Sequence, residues 1–510
     1  MFLLSFIILF PTVGGIALLF FPKDRLNAIR WTALGIAAIE LVLAFAVALI
    51  YLESAASVLI NSPLQENLPW IPSLGINYSL SVDGISLLLV VLTALLTVVC
   101  IAASFRIEKK AKNYMAFMLL LESGILGVFL STNLFLFYIF WEVMLIPAYF
   151  LLGSWGGERR IYAAFKFVLY TAVGSFLMLA SIIALGYFHQ RGGSCGYTLD
   201  LNTLLNTDSG CSIPNNIQIW LFLGFAAAFA VKVPFVPFHS WLPDAYSEAP
   251  APVTAMLAGA MSKTGAYGFL RLCIPLFPYA AQKLAPFFSI LAIVGILYCA
   301  VLALVQTDLK RLLGYSSISH LGVIMLGLFA FSTQSIEGSV LQMVNHGITI
   351  AALFLLVGFL EERTGTRRLG NFGGLAARLP LLATVMAIAA LSSLGLPGLN
   401  SFAGEFLTLI GVFRTTPVFS ILATAVVIPA AWYMLRFFQE SMQGPKQKEG
   451  PVGIMLRKGT LMDLSFSEFW LLAPLLLLIF YIGIQPGPLV WVLQQSIPNA
   501  MHALGSTFVP

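Results

Sequence analysis

Charge is scarce in this chain. Asp, Glu, Lys and Arg make up only 10% of its 510 residues, and no polar stretch is long enough to build a separate soluble domain. Soluble globular chains carry about 25% charged residues, so that class is excluded. Cysteine is equally sparse: there are 5, none in a CxxC pair or in a His/Cys cluster with metal-ligand spacing. The glycine-rich loops GxGxxG and GxxxxGKS/T, which cradle phosphates, are missing. The chain is therefore expected to hold no flavin, iron–sulfur cluster, metal or nucleotide of its own. Met1 to Phe21 lacks a charged n-region and a small-residue cleavage site. It reads as a first span, not a removable signal.

What is abundant is apolar length. Hydrophobic residues make up 59% of the chain and the mean hydropathy is +0.93. A bilayer core requires roughly 20 apolar residues per helix. Fourteen such segments fall near 2–21, 28–52, 84–104, 113–130, 132–152, 162–187, 218–240, 252–277, 284–305, 310–331, 337–359, 381–411, 418–439 and 467–491. The expected fold is all-α and polytopic, with about 14 transmembrane helices. Of the 27 Lys and Arg residues, 21 fall in loops on one side and 4 on the other, and Lys232 and Lys263 lie inside spans. That bias marks the cytoplasmic side, puts both termini outside and requires an even number of spans. An outer loop carries Cys195 and Cys211, for which a disulfide and two free thiols are equally open.

Ionisable side chains recur where they are expensive. Glu40, Glu122, Glu142, Lys232, Lys263, His320, His346 and Glu405 sit near span midpoints, where each costs roughly 2.5–3.5 kcal/mol on insertion scales. One buried His is commonly a packing residue. Eight groups of mixed sign on eight helices resemble the proton relays of pumps and transporters. Prolines reinforce the pattern. The seventh segment reads Val231-Lys-Val-Pro-Phe-Val-Pro-Phe-His239, and the twelfth Leu394-Gly-Leu-Pro-Gly-Leu-Asn-Ser-Phe-Ala-Gly-Glu405. Proline removes a backbone donor and clashes with the preceding turn, so both helices are expected to break. Breaks five segments apart imply two inverted five-helix repeats, helices 4–8 and 9–13. The expected division is 1–112 (helices 1–3), 113–277 (first repeat), 284–439 (second repeat) and 440–510 (a loop and the last helix). Glu40, outside the repeats, is expected at an interface or snorkelling toward lipid. His239, Asp244 and Glu248 are expected to be solvated at the inner mouth.

Several motifs resemble those of the antiporter-like subunits of complex I-type dehydrogenases. They are Phe140-Trp-Glu-Val-Met-Leu-Ile-Pro147, Trp155-Gly-Gly-Glu-Arg-Arg160, Lys232 to Asp244, Glu248-Ala-Pro250, Ser262-Lys-Thr-Gly-Ala-Tyr-Gly268, Asp308-Leu-Lys-Arg311 and Tyr315-Ser-Ser-Ile-Ser-His320. The match runs from about Asp83 to the last span. Within the family the chain is most similar to the chain 4 type, because Glu405 stands where sister subunits and most Mrp-type chains have Lys. Ala260-Met-Ser-Lys263 departs from the usual Leu-Leu-Lys, which blurs the subtype. A cyanobacterial chain, including a carbon-dioxide-uptake variant, is one such subtype.

The resemblance implies a proton-translocating membrane subunit with Glu142 and Lys232 as a coupled pair. The expected path runs from Lys232 through Lys263, His320 and His346 to Glu405, with Glu122 relaying charge from a neighbour. It places quinone (plastoquinone in a thylakoid), iron–sulfur clusters and NAD(P)H or ferredoxin in partner subunits. Homologous antiporter-like chains, a peripheral redox arm and lipid would surround the chain, in a bacterial inner membrane or a cyanobacterial thylakoid. Rival readings are an Mrp-type cation/proton antiporter subunit, a membrane subunit of an energy-converting hydrogenase, and a non-transporting scaffold.

Overall fold

A computed structural model describes every residue except 1, 57–63, 193–195, 207–212, 445–449 and 508–510. Cys195 and Cys211 lie outside the described residues. The chain is almost wholly helical. It opens with α1 (Leu3–Leu18) and α2 (Leu26–Ala56), followed by an antiparallel hairpin of β1 (Gln65–Ile71) and β2 (Ile76–Ser81). Next come α3 (Gly84–Ala103), α4 (Ala111–Leu130), α5 (Leu134–Val143), α6 (Leu145–Trp155), α7 (Arg160–Arg191) and the short α8 (Leu201–Leu205). The middle of the chain holds α9 (Asn215–Lys232), α10 (Trp241–Glu248), α11 (Ala251–Met256), α12 (Lys263–Gly268), α13 (Ile274–Leu276), α14 (Pro278–Leu304), α15 (Leu309–Leu328) and α16 (Thr333–Thr364). The last third holds α17 (Pro380–Ser393), α18 (Asn400–Thr415), α19 (Pro417–Thr424), α20 (Val427–Met442), α21 (Gly450–Lys458), α22 (Phe466–Ile484), α23 (Gly487–Gln494) and α24 (Ile497–Met501).

Among the described residues, 9 helical stretches are long and apolar enough to cross a bilayer, two of them the joined pairs α5–α6 and α19–α20. The expected count of 14 is not reached by this measure, because several segments are interrupted or short. Large apolar side chains such as Phe165, Phe176, Ile428 and Trp432 point outward, as they must where the surroundings are hydrocarbon. By contrast, the most apolar 18-residue stretch of α16 is 100% buried by the rest of the chain, against 28% for that of α2. Polar residues on α16 are thereby kept away from lipid.

Contacts gather the loops at two ends, as the charge alternation requires. At the basic end, Arg106 pairs with Glu362 at 2.6 Å and with Glu468 at 2.8 Å, Arg363 reaches Glu468 at 2.5 Å, and Arg30 donates to the Ile107 carbonyl. At the other end, Ser496 accepts from the Gly84 N–H at 2.8 Å, and Gln282 reaches the Leu504 carbonyl. The start of α1 lies at this same end. Glu66 on β1 caps it by accepting from the N–H groups of Leu4 at 2.7 Å and Ser5 at 3.0 Å, and from the Ser5 hydroxyl. The first turn of a helix has unsatisfied donors, and this buried carboxylate serves two of them. Glu66→Ala is expected to cost about 1–3 kcal/mol, the desolvation penalty of donors left unpaired. A lower thermal midpoint of the purified protein in detergent would register the loss, and an unmoved midpoint would show the cap to be idle.

Candidate functional site

Both expected breaks are present. Pro234 has no N–H for the Ala230 carbonyl, which accepts instead from Phe235 at 2.9 Å. That leaves the Val231 carbonyl without its helical donor, and the indole N–H of Trp241 fills the place at 2.9 Å. Helix α9 therefore ends at Lys232 and α10 restarts at Trp241, eight residues that the sequence reading placed beyond its span. The second break separates α17 from α18 and turns on Gly395 (φ +78°) and Gly398 (φ +92°), conformations open to glycine but strained for other residues.

Lys232 is 1% exposed, and its Nζ has no hydrogen-bond partner. The faces of Trp141 and Phe167 lie 5.3 Å and 5.5 Å from it. Glu142, at the end of α5, has one buried oxygen, also unpartnered. No ion pair within 4.0 Å joins the two residues, so Glu142 acts on Lys232 through space and not by contact.

Lys263 lies between two π-helical turns, Leu257–Met261 and Phe269–Cys273. Such turns shift the hydrogen-bond register and are frequent at functional sites. Here the Ala258 carbonyl accepts from Lys263 Nζ at 2.5 Å and from the Ser262 hydroxyl at 2.8 Å. On its other side Nζ meets His346 Nδ1 at 2.8 Å. The rings of His346 and His320 have centroids 5.4 Å apart. His320 Nδ1 lies 2.6 Å from Glu405 Oε1, and Gln342 donates to the same oxygen at 2.9 Å. The structure thus groups Lys263, His346, His320 and Glu405, with the histidines in the reverse of the expected order. Sequence distance does not say which of two neighbouring helices faces the lysine. No hydrogen bond links Lys232 to Lys263; their helices touch where Gly265 packs on the Lys232 Cβ.

Glu122 is fully buried, with both oxygens unpartnered, and makes no hydrogen bond to this group. Its electrostatic neighbour is Glu40. Glu40 is itself 0% exposed and unpartnered, which corrects its expected interfacial or lipid-facing place: α2 turns this residue inward. The expectation of solvated residues at the inner mouth also fails for two of three. Asp244 is buried between Lys166 and Arg311, each at 2.8 Å, and Glu248 accepts from the Arg159 N–H and from Arg367. Charged partners compensate the lost water. His239 is half-buried, with Nδ1 unpartnered.

Sequence reasoning missed the polar companions. Gln342, Ser393 (its hydroxyl 3.4 Å from His320 Nε2) and the amides of Asn345 and Asn400 all lie in this buried layer. A signal was available: Gln342, Asn345, His346 and Thr349 follow i, i+3, i+4, i+7 spacing on a buried helix, which places them on one face.

Residues 131–429 match the family described as NADH:quinone oxidoreductase/Mrp antiporter, TM. The NADH-quinone oxidoreductase subunit M of Rickettsia prowazekii is 38% identical over 501 residues, 98% of each chain. Among solved structures, a chain of respiratory complex I from Thermus thermophilus with bound NADH aligns with a TM-score of 0.85 at 31% identity, covering 99% of this chain and 100% of that one. A chain of the Mrp complex from Dietzia gives 0.81 at 22% identity, covering 99% and 100%, and at that identity the likeness concerns the fold alone.

Proposed function

The chain belongs to the NADH:quinone oxidoreductase/Mrp antiporter membrane family, and from that premise we propose that it is a proton-translocating subunit of a complex I-type NADH-quinone oxidoreductase in a bacterial inner membrane. Electron transfer takes place in partner subunits, which hold NADH, iron–sulfur clusters and quinone; this chain contributes no redox centre. Other membrane-arm subunits, homologous antiporter-like chains among them, flank it. Its two breaks take corresponding places, in the fourth of five segments, in two repeats, 113–277 and 284–439.

The observation that carries this reading is the row Lys263, His346, His320, Glu405, buried except for a half-buried Glu405, with contacts of 2.8 Å and 2.6 Å at its two ends. Neutral imidazole accepts a proton on one nitrogen and releases one from the other. A proton passed from Lys263 Nζ to His346 Nδ1 leaves from His346 Nε2, whose present lack of a partner leaves it free to donate. The step to His320 is long enough to need one bridging hydroxyl or water, and the Ser393 hydroxyl already faces His320 Nε2. His320 Nδ1 then delivers to Glu405. Lys232 and Glu142 form the switch that loads this row, and Glu122 with Glu40 relays charge from a neighbouring subunit.

Lys263→Gln tests the row at its head. In the purified complex reconstituted in vesicles, protons moved per two electrons are expected to fall, while NADH oxidation with an ionophore present continues. An unchanged ratio in Lys263→Gln would remove Lys263 from the path.

A further inference from the structure

The two breaks are closed in different ways. Across the first, Trp241 returns one hydrogen bond to the Val231 carbonyl. Across the second, the first residue of the restarted helix, Asn400, is a fully buried hub. Its Nδ2 donates to the Asn345 carbonyl at 3.1 Å, and its own carbonyl accepts from Asn345 Nδ2 at 2.7 Å. Its Oδ1 accepts from Ser392 at 2.5 Å and Thr349 at 3.2 Å, and those two hydroxyls lie 2.8 Å apart. The orientation of the Asn400 amide is set by chemistry, because only an NH2 group can face a carbonyl. Ser392 belongs to the half-helix before the break, whereas Asn345 and Thr349 belong to α16.

We propose that Asn400 is a positioning residue: by clasping the restarted helix to α16 through Asn345, it sets Glu405 at hydrogen-bonding distance from His320. Resting on the reading of Glu405 as a proton carrier, this assigns a structural cause to the 2.6 Å contact. Asn345 lies one turn from Gln342, which holds Glu405, and next to His346, which holds Lys263. Glu405 is five residues beyond Asn400, about 7.5 Å along the helix. Below the clasp α16 and α18 approach closely: a Cβ on Gly338 would lie 2.3 Å from the Thr408 nitrogen, and one on Gly411 would lie 2.2 Å from the Ser335 nitrogen. The restarted helix is therefore anchored to α16 at several levels, while Gly395 and Gly398 let the chain before it turn freely.

Vesicles containing the whole complex with Asn400→Ala, Asn345→Ala, both changes, or Glu405→Gln distinguish the outcomes. Protons moved per two electrons normalises for the amount of assembled complex, so a merely structural loss leaves it unmoved. Both single variants are expected to lower the ratio, and the double variant to lower it at least as far as the worse single one, because each truncation removes one of two reciprocal bonds and leaves the other. If Glu405→Gln lowers the ratio and Asn400→Ala does not, the clasp has no positioning role. If Glu405→Gln itself changes nothing, the proton-path reading fails instead. Should Asn400→Ala not assemble, Asn345→Ala removes the 2.7 Å bond of the clasp without touching the restarted helix, and an unchanged ratio there overturns the proposal.

Discussion

Lys232→Ala is expected to cut proton translocation through this chain at least tenfold while the complex assembles and continues to oxidise NADH. The reason lies in how weakly the charge on Lys232 is held. Taking an ammonium out of water costs several kcal/mol. The ring faces of Trp141 and Phe167 return about 0.5–2 kcal/mol each at best, and no hydrogen bond helps. The remaining support is the field of Glu142. A contact pair at 4 Å would contribute about 4 kcal/mol at an effective dielectric constant of 20. These two groups make no such contact, so their coupling lies below that figure.

Such a coupling suits a switch. Each 1.36 kcal/mol changes proton occupancy about tenfold, so a small displacement of Glu142 is enough to load or unload Lys232, whereas a contact ion pair would lock it. Glu142→Ala is therefore expected to stop translocation as fully as Lys232→Ala, and the double variant to be no worse, since either change disables the same unit. Lys232→Arg keeps a charge but not a titrating group and should also block. Normal proton-to-electron ratios in reconstituted Lys232→Ala and Glu142→Ala complexes would show that the pair is not the switch.

Much of this arrangement was legible in the residues, for physical reasons that differ from part to part. Pro234 and Pro237 announced the first break because a missing N–H has no remedy within a helix. The site residues stood out because charge at mid-span is rare enough to count. What the sequence hid was direction. Whether His320 or His346 meets Lys263 depends on how α15 and α16 are rotated, and apolar segments packed on every side carry little amphipathic signal to fix that rotation. Glu40 was misplaced because α2 is mostly exposed, yet the residue lies on the helix's buried stripe with Ala33, Ala37, Ala44 and Val47, facing Glu122. The burial of Asp244 and Glu248 is not legible in the sequence because their cations, Lys166, Arg311 and Arg367, are distant along the chain.

Glu405→Gln isolates proton chemistry from shape. The amide is nearly isosteric with the carboxyl, and its carbonyl oxygen can still accept from Gln342 Nε2 and from a protonated His320 Nδ1, so the 2.9 Å and 2.6 Å contacts can persist. Close approach by the break loop is undisturbed as well, since a Cβ on Gly395 would lie 3.2 Å from Glu405 Oε2 and the glycine has none. What is lost is the capacity to take a proton from His320 and pass it on. A hydrogen bond to a charged group is worth about 1.5–3 kcal/mol, against about 1 for a neutral one, so part of the pull that draws the proton toward Glu405 disappears too. Translocation is therefore expected to fall at least tenfold with assembly unchanged. Glu405→Asp, which titrates but reaches one methylene less far, should retain part of it. If Glu405→Gln instead moved as many protons per two electrons as the native complex, the row from Lys263 would have to discharge elsewhere, and Glu405 would be a partner that merely holds His320 in place.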